Sequence, residues 1–188
     1  MIIWLASYPK SGNTLLRSIL VSLIFNEKGN VDFNQLHHIS NFPAGIFFEK
    51  FTSNYAKVKE ISKYWIKAQE ELNQNKKLKF FKTHNALCKI DGNAFTDSKN
   101  TVGTIYIVRD PRDIIVSASR YYNKSHNEIK DNMFNRHMDL INNYNGKAVS
   151  TFLGSWSDHY NSWSKNKKNT LLIKYEDLIN NKESEIKK

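Results

Sequence analysis

The chain has a single cysteine, Cys88, in 188 residues. An internal disulfide is excluded, and this usage suits a reducing compartment such as the cytoplasm. No apolar run approaches the roughly 20 residues that a membrane-spanning helix needs. The opening run, Ile2-Ile3-Trp4-Leu5-Ala6, is too short for a signal-peptide core and leads straight into a loop. The common nucleotide loop, GxxxxGK followed by Ser or Thr, is missing, and with it the hydroxyl that holds Mg²⁺ in that motif. This speaks against a nucleotide kinase. The adjacent His37 and His38 point in different directions on any regular element and have no carboxylate pattern nearby, so no metal is expected.

What is present argues for a globular chain. Apolar residues make up 40% and aromatics 13%, too many for a disordered segment. The length suits one domain, 1–188, with a real core. The net charge is +10. Lysine and asparagine are spread throughout, as in Asn73-Gln74-Asn75-Lys76-Lys77 and Lys165-Asn166-Lys167-Lys168-Asn169. These read as solvated faces rather than a nucleic-acid surface, and a positive field also favours a polyanionic ligand.

Strand, tight loop and helix follow one another at the start. Ile2 to Ala6 is a short apolar run, and Ser7 to Thr14 is turn-like. Leu15, Leu16, Ile19, Leu20, Leu23 and Ile24 then recur at helical spacing, to about Phe25 and a turn cluster at 26–30. Lys10, Ser11, Gly12 and Thr14 thus stand where a helix begins, and a helix N-terminus with free N–H groups suits an anion. Residues 31–53 lack periodicity but are rich in aromatics, from Phe33 to Phe51. Residues 54–73 read as an amphipathic covering helix. A second strand covers Leu78 to Lys82 and ends at Thr83-His84. Residues 91–100 are turn-like. Thr104 to Val108 is a buried parallel strand; Asp110 then caps a helix whose first residue is Pro111 and which runs to about Tyr122. Residues 123–150 are polar and hold a short helix or a lid. A helix over 152–165 and a strand over 170–175 follow, and 182–188 starts another helix. Ligands of open α/β sheets bind beyond the carboxyl ends of strands, so Lys10, Lys82, His84 and Arg109 are expected to meet.

Three strings in this order resemble the cytosolic-type sulfotransferases, which use 3′-phosphoadenosine 5′-phosphosulfate (PAPS). Tyr8-Pro9-Lys10-Ser11-Gly12-Asn13-Thr14-Leu15 is similar to that family's YPKSGTTW, with Asn13 in place of a threonine and Leu15 in place of the tryptophan near the adenine. Lys82-Thr83-His84 resembles its KTH, and Arg109 to Tyr122 its RDPRDVxVSxYH. Tyr175-Glu176-Asp177-Leu178 resembles the end of its FYEDL strand.

The resemblance implies a three-layer α/β/α fold with a central, mainly parallel sheet of P-loop NTPase-like kind. It implies that Lys10, Ser11, Gly12, Asn13, Thr14, Leu15, Arg109, Ser117 and Tyr175 bind the cofactor. It also implies that Lys10 and Lys82 stabilise charge while His84 is the general base. A sulfuryl group would pass to a hydroxyl or amine of a small-molecule acceptor, with adenosine 3′,5′-bisphosphate (PAP) as product and no metal. The aromatic segment from Phe33 to Phe51 falls where the family often lines its acceptor pocket. Relatives are generally longer, and their C-terminal Arg-Lys-Gly segment has no match before Lys188; a C-terminal portion of the family domain is expected to be missing. The alternatives are a nucleotide kinase-like phosphotransferase and a non-catalytic nucleotide-binding fragment. The oligomeric state is open.

Overall fold

The computed structural model describes residues 1–26, 30, 33–144, 147–165 and 169–188. Gly146 and parts of the turn at 26–30 and of the lysine run at 165–169 lie outside the described residues. In chain order the elements are β1 (Ile2–Ala6), α1 (Asn13–Phe25), a 3₁₀ turn at Phe33–His38 and β2 (Ser40–Asn41). Next come α2 (Val58–Ile61), α3 (Trp65–Asn73), β3 (Lys79–Thr83), β4 (Lys89–Ile90), β5 (Asn93–Ala94) and β6 (Thr101–Val108). The chain continues with α4 (Pro111–Tyr122), α5 (His126–Phe134), β7 (Asp139–Tyr144), β8 (Lys147–Phe152), α6 (Trp156–Ser164), β9 (Thr170–Lys174), α7 (Tyr175–Asn180) and α8 (Lys182–Ile186).

Five strands form one sheet in the order β2-β3-β1-β6-β9, and every pairing in it is parallel. Ala6 lies beside Thr83 on one side and Tyr106 on the other, and Val108 lies beside Lys174. The strands therefore end along a single edge. The order reverses at β1, whose neighbours are β3 and β6. Such a switch point opens a crevice at the carboxyl ends.

Both faces of the sheet are covered. Ile2, Trp4, Ala6, Phe81 and Tyr106 point to one side, against Trp65 and Ala68 of α3 and Trp163 of α6. Leu5, Ile107 and Ile173 point to the other, against Leu16 and Val21 of α1 and Leu178 of α7. The period of two along each strand produces two apolar layers, and the result is a P-loop NTPase-like α/β/α architecture. Trp4 is fully buried, and its Nε1–H donates to Thr101 Oγ1 at 2.9 Å. Its ring meets Phe42, Phe81 and Phe95 at centroid distances of 5.5, 6.1 and 5.2 Å.

Several local expectations change. The first helix begins at Asn13 rather than Leu15, because Gly12 takes a left-handed conformation (φ 95°) and lets the chain turn into the helix early. The segment 54–73 is not one helix; α2 and α3 are joined by a 3₁₀ turn at Ser62–Tyr64. Ile61 and Trp65, on either side of that turn, are both fully buried. The expected helix over 152–165 starts only at Trp156, since Phe152 ends β8, Gly154 has φ 64° and Ser155 caps the helix through the Asp158 N–H. The short helix within 123–150 is present as α5, opened by a capping box of Ser125 and Glu128. The rest of that stretch is the antiparallel hairpin β7–β8. The aromatics of 33–51 are mostly core: Phe42 and Phe48 are fully buried, Phe47 and Phe51 pack against them, and Phe33 is exposed.

Candidate active site

The loop after β1 carries the first set of groups. Lys10 is a non-glycine residue with φ 66°, a sparsely populated conformation that is common at functional loops. Its Nζ lies 3.8 Å from the centroid of the Tyr121 ring. Burial and the nearby Arg109 charge push the Lys10 ammonium below its usual pKa. At Gly12 a Cβ would lie 2.4 Å from Tyr175 Cδ2, so only glycine lets that ring close over the loop. Thr14 is exposed at the first turn of α1. Asn13 is buried, with Nδ2 donating to Leu5 O at 2.9 Å and Ser7 Oγ at 3.2 Å.

The end of β3 carries Lys82 and His84. Burial, with a further contribution from Arg17, pushes the Lys82 ammonium down to about 8. His84 Nδ1 lies 2.8 Å from Ser7 O and 3.1 Å from Ser7 Oγ. A carbonyl only accepts, so Nδ1 carries the proton and Nε2 keeps the lone pair. Burial first and the Lys82 charge second drive the imidazole well below its ordinary pKa, against the Ser7 hydrogen bond, which raises it. His84 is therefore neutral near pH 7.

The backbone of this strand end is pinned from two sides. His159, fully buried in α6, donates from Nε2 to His84 O at 3.0 Å, and its Nδ1 accepts from Tyr106 Oη at 2.9 Å. Asn85 Oδ1 accepts the Phe152 N–H at 3.0 Å, which ties the strand end to β8.

Arg109 ends β6. Among the described residues it makes no ion pair; Asp110 pairs with Arg112 instead. Its Nη1 donates to Lys10 O at 3.3 Å, and its guanidinium lies 4.4 Å from the centroid of the Tyr175 ring. Arg109 Nε and Ser11 Oγ are buried donors with no hydrogen-bond partner among the described residues. Unused donors of this kind, with two lysines close by, fit an anionic group.

Lys10, Gly12, Asn13, Thr14, Lys82, His84, Arg109, Ser117 and Tyr175 line one cavity of about 500 Å³ at the carboxyl edge of the sheet. The lining does not include Ser11, whose hydroxyl is buried in the loop, or Leu15, which packs against the Leu5–Ile107 layer. Tyr121, Tyr122, Leu140, Ile141 and Asn143 complete the wall. Sequence reasoning missed these, as it missed Ser7 and His159. The Asn145-Gly146 pair in the sequence is a hairpin signal that could have found β7 and β8, though nothing local places them over the site, and His159 sits inside a helix with nothing nearby to mark it. Pro9, Tyr122 and Leu140 also line a neighbouring apolar recess of about 130 Å³ between α4, α5 and β7, together with Ile114, Ala118, Ile129 and Met133.

The fold and this cavity define an α/β protein that gathers cations, a histidine and a helix N-terminus at one sheet edge. The sequence profile of the sulfotransferase domain matches residues 2–188, and the chain belongs to that family. It is 27% identical over 184 residues to a 3-alpha-hydroxysteroid sulfotransferase from Cavia porcellus, an alignment covering 97% of this chain and 55% of that protein. It is 38% identical over 87 residues to sulfotransferase 2B1 from Mus musculus, covering 45% of this chain and 24% of that protein. Over its longer match, the chain spans about half the length of its curated relative. Among solved structures, mouse sulfotransferase SULT7A1 complexed with PAP superposes with a TM-score of 0.53 at 24% identity, covering 99% of this chain and 55% of that one. Retinol dehydratase in a complex with retinol and PAP gives a TM-score of 0.58 at 16% identity, covering 97% and 57%. Among the described residues no group of three or more His, Cys, Asp or Glu could hold a metal ion, and no helix is long and apolar enough to cross a membrane.

Proposed function

We propose that this chain is a sulfotransferase domain, 1–188, which moves a sulfuryl group from PAPS to a hydroxyl or amine of a small-molecule acceptor. The observation that carries this reading is the convergence of His84, Lys10, Lys82 and Arg109 on one cavity. PAPS supplies the activated sulfuryl group and leaves as PAP. Lys10, the Gly12 and Asn13 backbone and Thr14 hold the 5′-phosphosulfate end, while Arg109 and Ser117 hold the 3′-phosphate. Tyr175 flanks the nucleotide. Lys10 and Lys82 stabilise negative charge on the oxygens that carry it during transfer. His84 Nε2 takes the proton of the acceptor, which makes the acceptor oxygen or nitrogen a better nucleophile. The three donor cations and the helix N-terminus serve the role that Mg²⁺ has in kinases, so binding needs no metal.

The apolar recess beside the cavity would seat the body of the acceptor. Its 130 Å³ is close to the roughly 150 Å³ apolar cavity that holds benzene, so one ring or a short alkyl group fits it. The half-buried free thiol of Cys88 fits a cytoplasmic protein. Nucleic acid is not a partner in this reading: the charge serves the cavity, and lysines elsewhere are scattered.

Calorimetric titration with PAP, with and without Mg²⁺, tests the cofactor site. Metal-independent binding is expected, weakened about 10- to 100-fold in Arg109→Ala by loss of charge-assisted hydrogen bonds. Binding that needs Mg²⁺, or that is indifferent to Arg109, would point to another class of nucleotide enzyme.

A further inference from the structure

Asn13 stands in the anion loop, yet its side chain has no donor left for an anion. Both Nδ2 protons are used, one on Leu5 O at 2.9 Å and one on Ser7 Oγ at 3.2 Å. The remaining Oδ1 is an acceptor, buried without a partner among the described residues, and a carbonyl oxygen offers a phosphate nothing. The side chain is 5% exposed and Ser7 is fully buried. What Asn13 does touch leads to the base. Ser7 Oγ lies 3.1 Å from His84 Nδ1, and Ser7 O lies 2.8 Å from the same nitrogen.

We propose that Asn13 and Ser7 are positioning residues for His84: the Asn13 amide orients the Ser7 hydroxyl, and Ser7 holds the His84 ring with Nδ1–H inward and Nε2 towards the cavity. This rests on the sulfotransferase reading for its catalytic consequence, but not for its geometry. A hydroxyl oxygen has two acceptor sites. Asn13 Nδ2–H occupies one, which leaves the other for His84 Nδ1–H. With the carbonyl of the same residue, Nδ1–H then faces two acceptors, so a shift to the Nε2–H tautomer would leave the Ser7 carbonyl facing a bare Nδ1 lone pair. The second acceptor also supports the imidazolium formed when Nε2 takes up a proton. The link to Leu5 O fixes the arrangement to the end of β1. The helix residue and the base therefore stay in register across 71 positions of sequence (84 − 13). Asn13 contributes to anion binding through its backbone alone.

Two measurements test this. The first needs no cofactor: ¹⁵N NMR of the imidazole in the purified chain. The wild type is expected to be almost wholly the Nδ1–H tautomer, and Ser7→Ala and Asn13→Ala should each show a growing share of Nε2–H. A wild-type His84 that is mainly Nε2–H overturns the proposal. The second is a double-mutant cycle with His84→Ala, read as turnover at saturating PAPS and as PAP affinity. Asn13→Ala is expected to lower kcat about 3- to 10-fold, the worth of one hydrogen bond, with PAP affinity unchanged. In the His84→Ala background the same change should cost nothing, because the group it positions is gone. An equal cost in both backgrounds would show a merely structural role. A tenfold loss of PAP affinity with kcat intact would return the Asn13 side chain to the anion. Urea midpoints check folding, and Ser7→Ala carries the same cycle if Asn13→Ala is unfolded. Absence of PAP binding by the wild type would refute the parent reading, while the NMR result still decides this one.

Discussion

Replacing Gly12 by alanine perturbs the fold and the site through a single methyl group. The new Cβ would lie 2.4 Å from Tyr175 Cδ2, 2.8 Å from Cε2 and 3.4 Å from Ile107 Cδ1. The first two contacts are impossible, so the ring must turn away. Gly12 also has φ 95°, and an L-residue held there costs about 1–3 kcal/mol. A displaced ring loses its stacking with the Arg109 guanidinium, now 4.4 Å from its centroid, which costs about 0.5–2 kcal/mol. The two sum to about 1.5–5 kcal/mol. Urea denaturation should show the larger part as a lower midpoint at unchanged slope. PAP titration should show weaker binding, because Arg109 loses its support. In a Tyr175→Ala background the clash has no partner, and only the backbone strain should remain. A Gly12→Ala chain with wild-type midpoint and PAP affinity would refute the reasoning. So would a cost that is the same with and without the tyrosine.

Lys82 makes cofactor binding depend on pH: its ammonium is pushed down to about 8 in the free protein, and PAP favours the charged form. Affinity measured by calorimetry should be level below pH 8 and fall as pH rises through it, a step that Lys82→Met removes. The same depression acts on folding: between about pH 8 and the unfolded value near 10.5 the unfolded chain binds the extra proton, so stability should rise with pH across that window and be lowest below it. Urea midpoints from pH 7 to 10 check this, and Lys82→Met should flatten the rise. His84→Ala should reduce turnover about 10²- to 10⁴-fold and leave PAP affinity alone; unchanged turnover would remove the histidine from the mechanism. Trp4→Ala empties a fully buried site and removes one of the two hydrogen bonds of Thr101 Oγ1, so a loss of about 3–5 kcal/mol is expected by thermal or urea unfolding.

The sequence by itself determined the sheet's main strands and the end of each that carries chemistry. Short continuous apolar runs mark β1 and β6, and Asp110-Pro111 announces α4 because a cap and a fixed φ are local properties. Lys10, Lys82, His84 and Arg109 were legible for a similar reason: each stands at or shortly after the carboxyl end of a recognisable strand, and parallel strands end together. Long-range pairing was not legible. Phe42 and Phe48 look like pocket aromatics in sequence, but in space Phe42 packs against Trp4, Phe81 and Phe95, and Phe48 against Phe42. The Asn145-Gly146 pair announces a hairpin, but only the fold makes Leu140 a wall of both cavities. Asn13 shows the limit most clearly. Its place in the loop suggests a donor to the anion, since backbone position is local. Where its amide protons go depends on Leu5 and Ser7, and Ser7 in turn meets His84 from another strand. That direction was decided by tertiary structure alone, because a buried hydrogen bond belongs to whichever acceptor the fold brings within reach.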